Sequence, residues 1–116
     1  MMVAIQGTRG FNDYTVFLRA MGTALSSMNE DDNEIQIFSA GPMQINAMAT
    51  EFTNVSERGL KARGKKIKLI KVPPSWIETN IHSIDYFAFF SKPKEPMSPL
   101  VDLADAKDIE VGVYRY

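Results

Sequence analysis

The feature that most constrains this chain is an alternation. Short apolar runs at Val3–Gln6, Glu34–Ser39, Ile67–Val72, Ile84–Phe90 and Ile109–Tyr114 are separated by stretches of helical periodicity. Behind Asp13, a candidate N-cap, Tyr14, Phe17, Leu18, Met21, Leu25 and Met28 recur at helical spacing, which predicts a helix to about Met28. After Gly41-Pro42, the positions Ile45, Met48, Ala49, Phe52 and Val55 share one helical face. Leu60 and Ala62 continue it, and Gly64 is a natural stop. Ser98-Pro99 supplies an N-cap and a first-turn proline for a short helix through Leu100, Val101, Leu103 and Ala104. Ser75–Ser83, a polar stretch around Trp76 and Ile77, is either a loop or a helical turn. Such alternation predicts an α/β three-layer sandwich with a mostly parallel five-stranded sheet. Right-handed crossovers with the first and fourth strands central give the order 3-2-1-4-5. The fourth run is almost wholly apolar, as a strand covered on both faces must be.

A chain of 116 residues suits one domain, residues 1–116, and its 45% hydrophobic content is enough to fold. Thirteen basic and 14 acidic residues nearly cancel, so nucleic-acid binding by bulk charge is not expected. Cysteine is absent, which excludes disulfides, thiol nucleophiles, iron–sulfur clusters and cysteine-ligated zinc. The single histidine, His82, precedes the fourth strand, away from the strand ends where ligands bind, and is expected not to be catalytic. No metal or other cofactor is expected. The acidic loop Asn29–Asn33 lacks the ligand spacing of a calcium loop and reads as a solvated connection. No apolar run is long enough to span a membrane and no export signal is visible, so the expected location is cytoplasmic.

Parallel strands put a ligand crevice at their C-terminal ends. The loops that leave those ends are Gly7–Asn12, Ser39–Gln44 and Ser91–Met97. In the first, Gly7 and Gly10 permit close backbone approach to an anion, with Thr8–Phe11 N–H groups as a cradle; a tight turn between strand and helix is the other reading. Arg9 is either a charge-assisted phosphate contact or an exposed turn arginine. Phe11 either stacks on a base or staples the first helix. Ser39, Gln44 and Asn46 are candidates to read ribose or base edges, Asn46 being otherwise an N-cap or turn residue. Gly41 and Pro42 form the second turn. Ser91, Lys92 and Ser98 would close the pocket, Lys92 balancing phosphate charge or standing in solvent.

These loops resemble those of the SLOG branch of Rossmann-like domains, the superfamily of the LOG phosphoribohydrolases and the DprA DNA-processing proteins. The stretches that carry the resemblance are Ile5-Gln6-Gly7-Thr8-Arg9-Gly10-Phe11-Asn12-Asp13-Tyr14, Ser39-Ala40-Gly41-Pro42-Met43-Gln44-Ile45-Asn46 and Phe89-Phe90-Ser91-Lys92-Pro93-Lys94-Glu95-Pro96-Met97-Ser98. The resemblance implies a small stand-alone binder of a nucleotide or nucleotide-derived ligand, of the kind phages carry to sequester a host signal. The superfamily's second turn usually has paired glycines and an acidic helix start; here Pro42 follows a single glycine and Asn46 stands where the acid would be. Glu57-Arg58 lies too late on the second helix to replace the LOG arginine–glutamate pair and reads as a surface ion pair.

Two alternatives remain. A nucleotide N-glycosidic hydrolase needs a carboxylate near the ribose, and Asp13 is the acid beside the glycine loop. A protein-interaction module would use the Trp76 segment and the ending Val113-Tyr114-Arg115-Tyr116. Large apolar residues outside the strands, among them Met43, Met48, Trp76 and Met97, also predict a homodimer.

Overall fold

The computed structural model describes residues 1–92 and 94–115. Pro93, in the expected third ligand loop, and Tyr116, in the expected aromatic ending, lie outside them. The chain is a Rossmann-like three-layer sandwich. Its strands are β1 (Met2–Gly7), β2 (Glu34–Ser39), β3 (Lys66–Lys71), β4 (Tyr86–Ser91) and β5 (Glu110–Arg115). Its helices are α1 (Tyr14–Ser26), α2 (Met43–Ala62), α3 (Pro74–Thr79) and α4 (Pro99–Ala106). All four strand pairings are parallel, in the order β3-β2-β1-β4-β5. Ser75–Ser83 holds most of α3 and a 3-10 turn at Ile81–Ser83. That turn delays β4 to Tyr86, because the Ile84 N–H closes it onto the Ile81 carbonyl at 3.1 Å.

Local chemistry sets the helix ends. The Asp13 carboxylate accepts from the Val16 N–H at 3.1 Å and caps α1; the Ser98 hydroxyl accepts from the Leu100 N–H at 3.2 Å and caps α4. α2 ends in a Schellman motif: Lys65 N–H bonds the Leu60 carbonyl at 2.8 Å and Gly64 N–H the Lys61 carbonyl at 3.0 Å. α4 ends in the same way, with Asp108 rather than glycine at the left-handed position, φ 58°.

The two faces of the sheet bury separate cores. α1 and α2 cover one, packing Phe17, Met21, Ile45 and Phe52 on Val3, Ile5, Ile37 and Phe90. α3 and α4 cover the other, packing Ile77, Leu100 and Val101 on Ala4, Phe38, Phe87 and Phe89. All six residues of β4 are buried, as its apolar run requires. Trp76 stacks on Phe38 at 4.4 Å and closes that core. Sequence order places β1 beside both β2 and β4, so the chain's direction of winding reverses between β1 and β4. That is the topological switch point.

One expectation fails here. Among the described residues Glu57 and Arg58 form no ion pair. Adjacent residues on a helix point about 100° apart and do not face each other.

Candidate functional site

At the switch point backbone hydrogen bonds tie the first loop to the second and to the end of β4. Gly7 N–H donates to the Gly41 carbonyl at 3.0 Å, joining the loops after β1 and β2. Thr8 N–H donates to the Phe90 carbonyl at 2.8 Å, joining the first loop to β4. Gly7 has no room for a side chain, since a β-carbon there would lie 2.7 Å from Ile45 Cδ1 and Cγ1. The glycine thus lets the first turn of α2 close onto the end of β1. The Thr8 N–H is thus spent on β4, and the Phe11 N–H is used within the loop, on the Thr8 carbonyl at 3.3 Å. Among the described residues the N–H groups of Arg9 and Gly10 donate to no protein acceptor.

The thirteen expected site residues divide by accessibility. Arg9, Gly10, Gln44 and Lys92 are exposed, and Gly7, Thr8, Pro42, Asn46 and Ser98 are half-buried. Phe11, Ser39, Gly41 and Ser91 are buried. Phe11 has no exposed surface and lies 4.9 Å from the Phe90 ring, so base stacking gives way to the core role. Its apolar ring follows an exposed glycine turn and falls into the aromatic group around Phe90. Ser39 donates to Asn46 Oδ1 at 2.5 Å, which binds β2 to the second turn of α2. Asn46 is therefore inside the helix, neither its N-cap nor a turn residue. Ser91 donates to the Lys92 carbonyl at 2.9 Å, and Ser98 is occupied as the α4 cap.

The charged residues among the thirteen, Arg9 and Lys92, are both positive and accessible. Lys92 reaches back over the first loop, its Nζ 3.3 Å from where a β-carbon on Gly10 would lie. Among the described residues neither Arg9 nor Lys92 forms an ion pair. Pro42 at the N-cap of α2 gives no side-chain acceptor, so the first N–H groups of this 20-residue helix are uncapped. The exposed Met43 begins that helix, and the exposed Met97 lies in the loop before α4. Met48 is buried and does not contribute to a surface patch.

Sequence reasoning missed two features. Gln6 Oε1, on β1 beside Phe89, is buried with no hydrogen-bond partner among the described residues. An alternating strand pattern carries no sign of that. Two clefts, of about 390 and 300 Å³, lie at the opposite end of the sheet, around Lys65. The basic residues Lys61, Arg63, Lys65 and Lys66 border them, and in the sequence these read as charge at a helix terminus. His82 stands exposed in the 3-10 turn at the N-terminal end of β4, away from the glycine loop.

Compared with protein-family models, with curated proteins and with solved structures, the chain matches none. Among the described residues no helix is long and apolar enough to cross a membrane.

Proposed function

We propose that the C-terminal end of the sheet binds a nucleotide or nucleotide-derived anion, as the resemblance to SLOG domains implies. The observation that carries this reading is that the loops at the switch point carry positive groups without an ion-pair partner among the described residues: Arg9, Lys92 lying over Gly10, and the uncapped start of α2. A phosphate there would accept from the Arg9 and Gly10 N–H groups and from the guanidinium fork, with the helix dipole favouring negative charge. Gln44, exposed on the first turn of α2, would contact ribose or base edges. Sequestering a signal nucleotide needs this binding and no chemistry. Glycosidic hydrolysis is the weaker reading, because the Asp13 carboxylate is engaged with the Val16 N–H.

Met43 is 80% and Met97 44% exposed at this end, which favours a second reading, a homodimer formed through these side chains. Light scattering at working concentration decides it, and a monomeric mass removes it.

The test of nucleotide binding is mass spectrometry of the small molecules released when the purified protein is denatured, followed by calorimetric titration with nucleoside mono-, di- and cyclic phosphates. A copurifying nucleotide with saturable heat supports binding. Release of free base from a monophosphate moves the protein to the hydrolase reading. No nucleotide and no heat in the millimolar range removes both.

A further inference from the structure

We propose that the opposite end of the sheet holds a second site, for a small zwitterion with an apolar body, such as an aliphatic or aromatic α-amino acid. α1 and α2 both end there, and beside the start of β2 lies a cleft of about 390 Å³. Leu25, Met28, Ile35 and Leu60 line its apolar part, while Asn29, Glu30, Arg63 and Lys65 line its polar part. Among the described residues neither the Glu30 carboxylate nor the Arg63 guanidinium has an ion-pair or hydrogen-bond partner, although both border the same hollow. Lys65 is different. Its ammonium donates to the carbonyls of Asp32 at 2.6 Å and Glu30 at 3.3 Å, which fixes the loop after α1 as a wall.

Charge of both signs over an apolar floor selects among ligands. A purely anionic ligand would meet Glu30 and the carbonyl ends of α1 and α2, where the helix dipoles disfavour it, and of the two cations at the cleft Lys65 is already held on two carbonyls. A purely cationic one would meet Arg63. A ligand carrying both charges pairs its ammonium with Glu30 and its carboxylate with Arg63, in charge-assisted hydrogen bonds. The volume suits a ligand of this size, since small-molecule pockets start at roughly 300 Å³.

The test uses the full chain, labelled with nitrogen-15, titrated with L-leucine, L-phenylalanine, N-acetyl-L-leucine and L-leucinamide. The proposal requires saturable shifts at the amides of Leu25, Met28, Glu30, Leu60 and Arg63 with the free amino acids, and not at the Gly7–Gly10 loop. N-acetyl-leucine, which has lost the ammonium, and leucinamide, which has lost the carboxylate, should each bind about tenfold or more weakly. Glu30 and Arg63 are exposed, so Glu30→Gln and Arg63→Gln should leave the spectrum of the fold unchanged. Each should weaken leucine about tenfold or more. Glu30→Gln should also lose the discrimination against N-acetyl-leucine, and Arg63→Gln that against leucinamide. Absence of saturable shifts at the cleft in the millimolar range overturns the proposal. So does binding of both blocked derivatives as tightly as free leucine, or wild-type affinity in both variants.

Discussion

The ammonium of Lys92 lies 3.3 Å from the point that a β-carbon on Gly10 would occupy. Gly10 also has φ 92°, a conformation that residues with a β-carbon rarely adopt. Glycine is thus required for the backbone conformation, and a β-carbon there would also press on the ammonium at the flexible end of Lys92. Gly10→Ala should cost about 1–2 kcal/mol of stability and should also weaken nucleotide binding by displacing the ammonium. Lys92→Ala should lose affinity without the stability cost, because Lys92 is exposed. Denaturant unfolding run beside calorimetric titration reads both effects; a Gly10→Ala protein of unchanged affinity would detach the lysine from the site.

Arg9 is exposed and forms no ion pair among the described residues, so its removal should leave folding intact. Arg9→Ala should weaken nucleotide binding by about 1.5–3 kcal/mol, the range for hydrogen bonds to charged groups, and should lower the salt sensitivity of binding. Arg9→Lys should restore only part of it, since lysine keeps the charge and loses the planar fork. Wild-type affinity in Arg9→Ala would take the residue out of the site.

Gly7 and Ile45 should couple. A β-carbon at Gly7 would stand 2.7 Å from two carbons of Ile45, closer than packed carbons can come. Gly7→Ala should destabilise by about 1–3 kcal/mol, as overpacking does. Ile45→Ala removes both carbons, so the double variant should be less destabilised than the sum of the two single ones. Strict additivity in a double-mutant cycle would mean that the helix moves as a body and not at Ile45.

Asp108 holds φ 58° at the left-handed position after α4. Glycine takes that conformation without the β-carbon penalty, as Gly64 does after α2. Asp108→Gly should therefore stabilise the protein by about 0.5–1 kcal/mol, after allowance for the larger unfolded-state entropy of glycine. A lower midpoint in thermal melting would contradict this.

The hydroxyls of Tyr86 and Tyr114 are 2.5 Å apart above Gly112, where a β-carbon would overlap them. Burial holds the Tyr86 phenol well above its ordinary pKa of 10.0, helped by the hydrogen bond to Tyr114 and by the charge of Glu110. The folded state therefore keeps a proton that the unfolded chain gives up. That contribution to stability is fully present below about pH 10 and is lost as pH rises from there toward the folded value. Unfolding free energies measured from pH 8 to 11 should fall above pH 10, and Tyr86→Phe should flatten the fall. An identical alkaline slope in the variant would assign the effect to other tyrosines or lysines.

The sheet was legible because its signals are local. The apolar runs set the strands to within one or two residues, and alternation with helices leaves few parallel orders. Asp13, Ser98 and Gly64 announced helix ends because a cap acts within a few residues of itself. The positions of the three loops at one end of the sheet followed from the same alternation.

What each loop residue faces was decided in three dimensions. Phe11 and Arg9 sit two residues apart in one loop, yet one is sealed against Phe90 and the other is exposed. Loop residues have no periodicity from which to read a face, so the neighbouring strand and helix choose. Ser39 donates to Asn46, and the neighbouring Ile45 packs into the space that Gly7 leaves at the end of β1. The cleft beside Arg63 brings together the end of α1, the end of α2 and the start of β2, whose separation along the chain hides their proximity. Caps and strand patterns are short-range properties of the chain; accessibility, pairing and cavities depend on surfaces that form only when distant segments pack.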